Sequence, residues 1–201
     1  MGTLNFELAK RYALHRLEQE LPSNLFYHGI KHTRDDVVPA VERLAKLERV
    51  KGNSLVLLLT AAWFHDLGFV EQSRYHELIS ARIALQALPG FGYTDKQVEI
   101  VRWAILATAL PQSPRNLLEE ILTDADLDAL GRDDFVLSSD NLRRELASFG
   151  EEYTDLEWCS RQLKFLESHT YFTASARSLR DAGQAKNIDM LKTRLGVLSN
   201  P

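Results

Sequence analysis

The sequence predicts an all-α fold, and three observations carry that expectation. Apolar residues recur at helical spacing through most of the chain, and no run alternates apolar and polar residues with β-branched enrichment over a strand's length. Leu55 to Phe64 is apolar on every side, which a soluble protein accommodates only as a buried helix. Proline and glycine punctuate the chain at intervals that suit helices joined by short turns. With 201 residues, 45% of them hydrophobic, and neither an internal repeat nor a low-complexity linker, one domain spanning residues 1–201 is expected.

Taken in order, Leu4, Leu8, Tyr12, Leu14, Leu17 and Leu21 mark an amphipathic helix that stops at Pro22-Ser23-Asn24. Gly29 then argues against a long helix over Leu25 to Thr33, so His28 and His32 are expected in or beside a loop. Val37, Val41, Leu44 and Leu47 mark the next helix, with Pro39 in its first two turns, where proline is best tolerated. Lys51-Gly52-Asn53-Ser54 is a turn that opens the buried helix, and Gly68 is placed to end it. A helix from Arg74 stops at Pro89-Gly90, and Thr94-Asp95 offers an N-cap to one carrying Val98, Val101, Ile105 and Leu106. Beyond Pro111 and Pro114 come Asn116 to Leu130, Asp133 to Phe149, Thr154 to His169, and a last helix from Thr173 whose final residues are expected to fray.

The formal net charge of -4 provides no basic field, which excludes nonspecific binding of nucleic acid or anionic membranes as the main activity. The lone Cys159 cannot close an internal disulfide or build a thiolate zinc site, and a reducing cytoplasm fits it. Phe6 stands where a myristoylation signal has Ser or Thr, and charges come too early for a signal peptide. The apolar run through Phe64 is too short for a membrane span, so a soluble protein with no membrane partner is expected.

The chemistry gathers at Trp63-Phe64-His65-Asp66-Leu67-Gly68, where a His-Asp pair ends the buried helix. Burying an imidazole and a carboxylate without partners costs roughly several kcal/mol, so a hydrogen-bond network or a bound cation must compensate them. Upstream lies Tyr27-His28-Gly29-Ile30-Lys31-His32, and downstream Asp124-Ala125-Asp126-Leu127-Asp128. If helical, the downstream stretch buries a face centred on Leu118, Leu122, Ala125 and Ala129. Asp126 and Asp128 then lie on opposite shoulders and Asp124 further out, and periodicity alone does not choose between the first two. A calcium loop is excluded, because Ala129 and Phe135 stand where Gly and Glu are required. His76-Glu77 lacks the second histidine of a zinc-protease helix, since Ser80 occupies its place.

This pattern resembles the HD-domain superfamily of metal-dependent phosphohydrolases, whose signature is a His, a His-Asp pair and a later Asp on a separate helix. The matched region runs from about residue 26 to 131, with a helical extension over 132–201. The resemblance implies a compact helical bundle and His32, His65, Asp66 and Asp126 as metal ligands. It also matches His76-Glu77 and Ser80 to a His-Glu stretch of one branch, which resembles small hydrolases acting on nucleotides or other phosphorylated metabolites.

Two imidazoles and two carboxylates suit one divalent Mn²⁺, Fe²⁺, Co²⁺, Ni²⁺ or Zn²⁺ better than Mg²⁺ or Ca²⁺. Such a cation activates water and offsets charge on phosphorus. Two-metal relatives carry extra histidines on intervening helices; here the only intervening one is His76, with Thr108 where another is expected, so a single cation is anticipated. Glu77 and His76 are candidates for proton transfer, and Lys31 and Arg74 for phosphate contacts. His28, Arg143 and Arg144 are weaker candidates for the same pocket. A metal-binding sensing or interaction module without turnover is the alternative; a lost ligand would favour it, and all four are present.

Overall fold

The computed structural model describes residues 4–199. Met1 to Thr3, part of the N-terminal signal reading, and the frayed end expected at Asn200-Pro201 lie outside the described residues. Among the described residues the secondary structure is entirely helical: nine α-helices joined by turns. Their contacts resolve into two compact units, Met1–Ser23 with His28–Asp126, and Asn24–Tyr27 with Leu127–Pro201. The division falls close to the end of the motif-bearing stretch, within a chain expected to form one domain.

The first unit holds α1 (Phe6–Glu20), α2 (Val38–Leu47), α3 (Gly52–Phe64), α4 (His76–Ala87), α5 (Asp95–Ala107) and α6 (Leu117–Asp126). Asn5 caps α1 by accepting from the Leu8 N–H, and Thr94 with Gln97 forms a capping box on α5. The apolar helix α3 is the central element, packing against α1, α2, α5 and α6. Leu58, Ala61, Ala62 and Phe64 are buried there with Ala13, Val41, Leu44, Ile105, Ile121 and Leu122. By length and composition Gly52–Val70 could cross a bilayer, yet two thirds of it (67%) is buried, the pattern of a core helix.

His32, expected in or beside a loop, lies just after the bends over 26–29: it belongs to a π-helical turn, His32–Val37, and is buried. Its N–H donates to the Gly29 carbonyl, so the Gly29 turn delivers the imidazole into the core. A π turn is a local departure from α geometry that recurs at functional positions. The helix expected over Asn116 to Leu130 stops at Asp126, and a 3-10 turn, Asp128–Gly131, follows.

The second unit is built on α7 (Phe135–Ser148), α8 (Asp155–Ser168) and α9 (Ala174–Ser199) around Leu130, Phe135, Cys159, Leu166 and Leu191. Gly131 and Gly183 permit the 3-10 turn and α9 to touch: a Cβ on Gly183 would overlap the Gly131 carbonyl. Asp128 is buried in this unit and pairs with Arg180 through two hydrogen bonds of 2.7 and 2.8 Å. The buried Glu145 accepts from the Tyr27 N–H at 2.8 Å, which ties Asn24–Tyr27 into the unit.

Candidate metal centre

Helix α3 ends at Phe64, so His65 and Asp66 emerge where backbone carbonyls begin to lack helical partners. The His65 Nδ1–H donates to the Ala62 carbonyl at 2.8 Å, which fixes the ring and turns Nε2 away from the helix. Asp66 leads into a 3-10 turn, Leu67–Val70, which packs against α4. Gly68 is required there by contact: a Cβ would overlap the His76 backbone carbonyl. Its N–H donates to the Ser80 hydroxyl at 2.7 Å, so Ser80 positions the turn.

One ligand atom each from His32, His65 and Asp66 lies within 4.8 Å of the others, and all three residues are buried. His32 Nε2 is 3.6 Å from Asp66 Oδ2, and His65 Nε2 is 3.3 Å from it. Asp126 joins from the last turn of α6, its Oδ1 lying 3.1 Å from His32 Nε2 and 3.5 Å from His65 Nε2. Its side chain is partly exposed, at 18%. The four ligand candidates implied by the resemblance therefore converge from three places in the chain: the π turn, the end of α3 and the end of α6.

The electrostatics of this cluster oppose burial with opposite charge. Burial disfavours a charged His65, but the Asp66 and Asp126 carboxylates outweigh it and hold the imidazole's pKa well above its ordinary value. Burial also raises the carboxyl pKa of Asp66, yet His65, His76 and His28 drive it far below the usual range. For Asp126, burial is outweighed by His32 and then His65, and its pKa too is strongly lowered. Buried without a hydrogen-bond partner, His65 Nε2 and Asp66 Oδ2 face each other. Two orphaned donor atoms of this type, in a cluster with an additional imidazole and carboxylate, fit a divalent cation that takes the place of the proton.

His76 stands at the start of α4, its Nδ1–H donating to the Ser73 carbonyl and its Nε2 lying 3.4 Å from Asp66 Oδ1. Glu77 Oε1 is 3.5 Å from His76 Nε2. His28 lies close by: its ring stacks on Phe69 at 4.4 Å between centroids and is 5.8 Å from both His32 and His76. Phe69 also stacks on His76 at 4.1 Å. Phe69 escaped the sequence reading, its only signal being its place just after Gly68.

Other candidates are placed differently. Lys31 and Arg74 are exposed, and neither shares a hydrogen bond or ion pair with the cluster. Arg74 lies over the Tyr75 ring, 5.0 Å from its centroid. Arg143 and Arg144 belong to the second unit, Arg143 bonding to Asp155 and the Tyr153 carbonyl and Arg144 lying over the Phe26 ring. Asp124, expected further out, is buried at 1%, because the face of α6 that packs into the core is broader than the apolar stripe alone.

The class defined by this fold and cluster is an all-α protein with a buried His/Asp group fit for a metal ion. No family model matches the chain. An uncharacterized protein of Clostridium beijerinckii is 30% identical over 82 residues, 39% of this chain and 51% of that one. The chain thus spans about half the length of the curated relative it matches. A crystal structure of a Lactobacillus plantarum protein, solved as a structural genomics target, is similar with a TM-score of 0.68. It covers 96% of this chain and 97% of its own at 18% identity, a likeness of fold.

Proposed function

We propose that the protein is a metal-dependent phosphohydrolase of the HD-domain type, acting on a nucleotide or other small phosphorylated metabolite. The observation that carries this reading is the convergence of His65 Nε2 and Asp66 Oδ2, both buried and without a hydrogen bond, on His32. His32, His65, Asp66 and Asp126 would hold one divalent cation, with imidazole donors favouring Mn²⁺, Fe²⁺, Co²⁺, Ni²⁺ or Zn²⁺. When bound, such an ion supplies Lewis acidity, lowering the pKa of water and offsetting negative charge on a phosphoryl group.

The chain's own residues supply the rest. The Ala62 carbonyl orients His65, and Ser80 holds the turn that sets the direction of Asp66. Glu77, partly exposed beside His76, accepts or returns a proton at its carboxylate, and His76 Nε2 positions that carboxylate against Asp66. Lys31 and Arg74 serve phosphate from the exposed side. The acidic chain takes a small substrate in the cytoplasm, and not nucleic acid or membrane.

The test is a phosphate-release screen on chelator-treated protein, with nucleotides and sugar phosphates as substrates and Mn²⁺, Co²⁺, Mg²⁺ or Ca²⁺ added back. Release that requires Mn²⁺ or Co²⁺ and disappears in Asp66→Ala supports the reading. The absence of release with every metal and substrate would overturn it.

A further inference from the structure

Among the described residues, two other than glycine adopt a left-handed backbone, Arg49 and Tyr75, each with φ of 60°. At Arg49 the conformation closes α2: the Val50 N–H reaches the Ala45 carbonyl at 2.8 Å and the Arg49 N–H the Lys46 carbonyl at 3.3 Å. At Tyr75 no helix end needs capping in this way. Tyr75 precedes α4, contributes no side-chain cap, and is a bulky residue where glycine or asparagine would carry less strain. Backbone strain of this kind collects at functional sites, where the side chain repays it.

Tyr75 is 57% exposed, and Leu78, one turn on, is 59% exposed. Arg74 lays its guanidinium over the ring. The next residue in the chain, His76, reaches to 3.4 Å from Asp66. An aromatic side chain, a cation and an apolar side chain thus stand within two residues of His76, the neighbour of Asp66, at a strained position that also precedes the start of α4.

We infer that Tyr75 is a specificity-determining residue, giving the planar heterocycle of a phosphorylated substrate a face on which to stack, with Arg74 beside it for the anionic part. This rests on the phosphohydrolase reading and narrows it to substrates bearing an aromatic base. A sugar phosphate without a base lacks the group that Tyr75 engages. Tyrosine at this position therefore trades backbone strain for recognition.

The experiment uses the full chain loaded with Mn²⁺ and two non-hydrolysable probes, the 5′-methylenephosphonate analogues of adenosine monophosphate and of ribose 5-phosphate. Calorimetric binding should favour the adenosine analogue by roughly ten- to a hundredfold, the scale of stacking one base on an aromatic side chain. Tyr75→Asn should bring the two probes within about threefold of each other, while melting at or above the wild-type temperature because asparagine tolerates the left-handed backbone. Tyr75→Phe should keep the discrimination. Equal binding of both probes by the wild type, binding of neither, or discrimination that survives Tyr75→Asn would overturn the inference. Phosphate release from the two parent esters separates the claims. Discrimination without release sinks the hydrolase reading alone, and equal binding with release sinks the stacking role alone.

Discussion

Gly68→Ala tests the way the turn after Asp66 is built. Here a methyl group would meet the carbonyl, carbon and Cα of His76, all backbone atoms that have no rotamer to escape into. Either the 3-10 turn or the start of α4 must move, and overpacking of this kind costs about 1–3 kcal/mol. At about 2–4 °C per kcal/mol for a chain of this size, the melting temperature should fall by about 2–12 °C. The displacement also pulls Asp66 away from His32 and His65 and strains the bond from Gly68 to Ser80, so affinity for Mn²⁺ should drop about tenfold or more. Gly90→Ala is the control, since a Cβ there meets nothing within 4 Å. Circular dichroism melts and calorimetric titration with Mn²⁺ read both effects. A Gly68→Ala protein that melts and binds metal like the wild type would refute the contact argument.

Three other predictions follow from the same geometry. Asp126→Ala should lose metal and activity. Asp124→Ala should keep the metal with reduced stability, because Asp124 is buried but two residues away, about 200° round the helix. Metal content that follows Asp124 instead would redraw the site. Glu77→Gln should lower turnover by about a hundredfold while the metal stays bound, and unchanged turnover removes Glu77 from the mechanism. His169, whose Nε2 is buried without a partner, has its pKa pushed down by burial to about 4. Its folded-state pKa lies below the unfolded one, so its contribution is present above about pH 6.5 and is lost as pH falls toward 4. The loss is about 2 kcal/mol after discounting for the part of the ring that solvent reaches. His169→Phe should shrink the stability difference between pH 7 and 4.5 in urea unfolding, and an identical pH dependence would refute the assignment.

Much of the fold was legible because it rests on local signals. The apolar run of α3, the Thr94 cap of α5 and the proline and glycine breaks each act within a turn or two of their own residues. The convergence of His32, His65, Asp66 and Asp126 was legible only through resemblance, since nothing local brings residues so far apart in sequence together. What stayed hidden depends on tertiary contact. The triangle of His28, Phe69 and His76 exists because Gly68 lets the turn close on α4, and neither its stacking nor the π turn at His32 has a periodicity to betray it. The burial of Asp124 was missed for the same reason: a charged residue carries no apolar signal on a helix face. The division after Asp126 passes through a continuous acidic and apolar pattern, without the glycine or proline that marks other boundaries.

The most direct test of the account is the stoichiometry and selectivity of metal binding by chelator-treated protein, read by calorimetric titration with Mn²⁺, Co²⁺ and Ca²⁺. The cluster of His32, His65, Asp66 and Asp126 predicts one equivalent of Mn²⁺ or Co²⁺, and Ca²⁺ bound far more weakly because two donors are imidazoles. Binding should tighten as pH rises, because the cation displaces the proton that the carboxylates hold on His65. No binding, two equivalents, or equal affinity for Ca²⁺ would contradict the site.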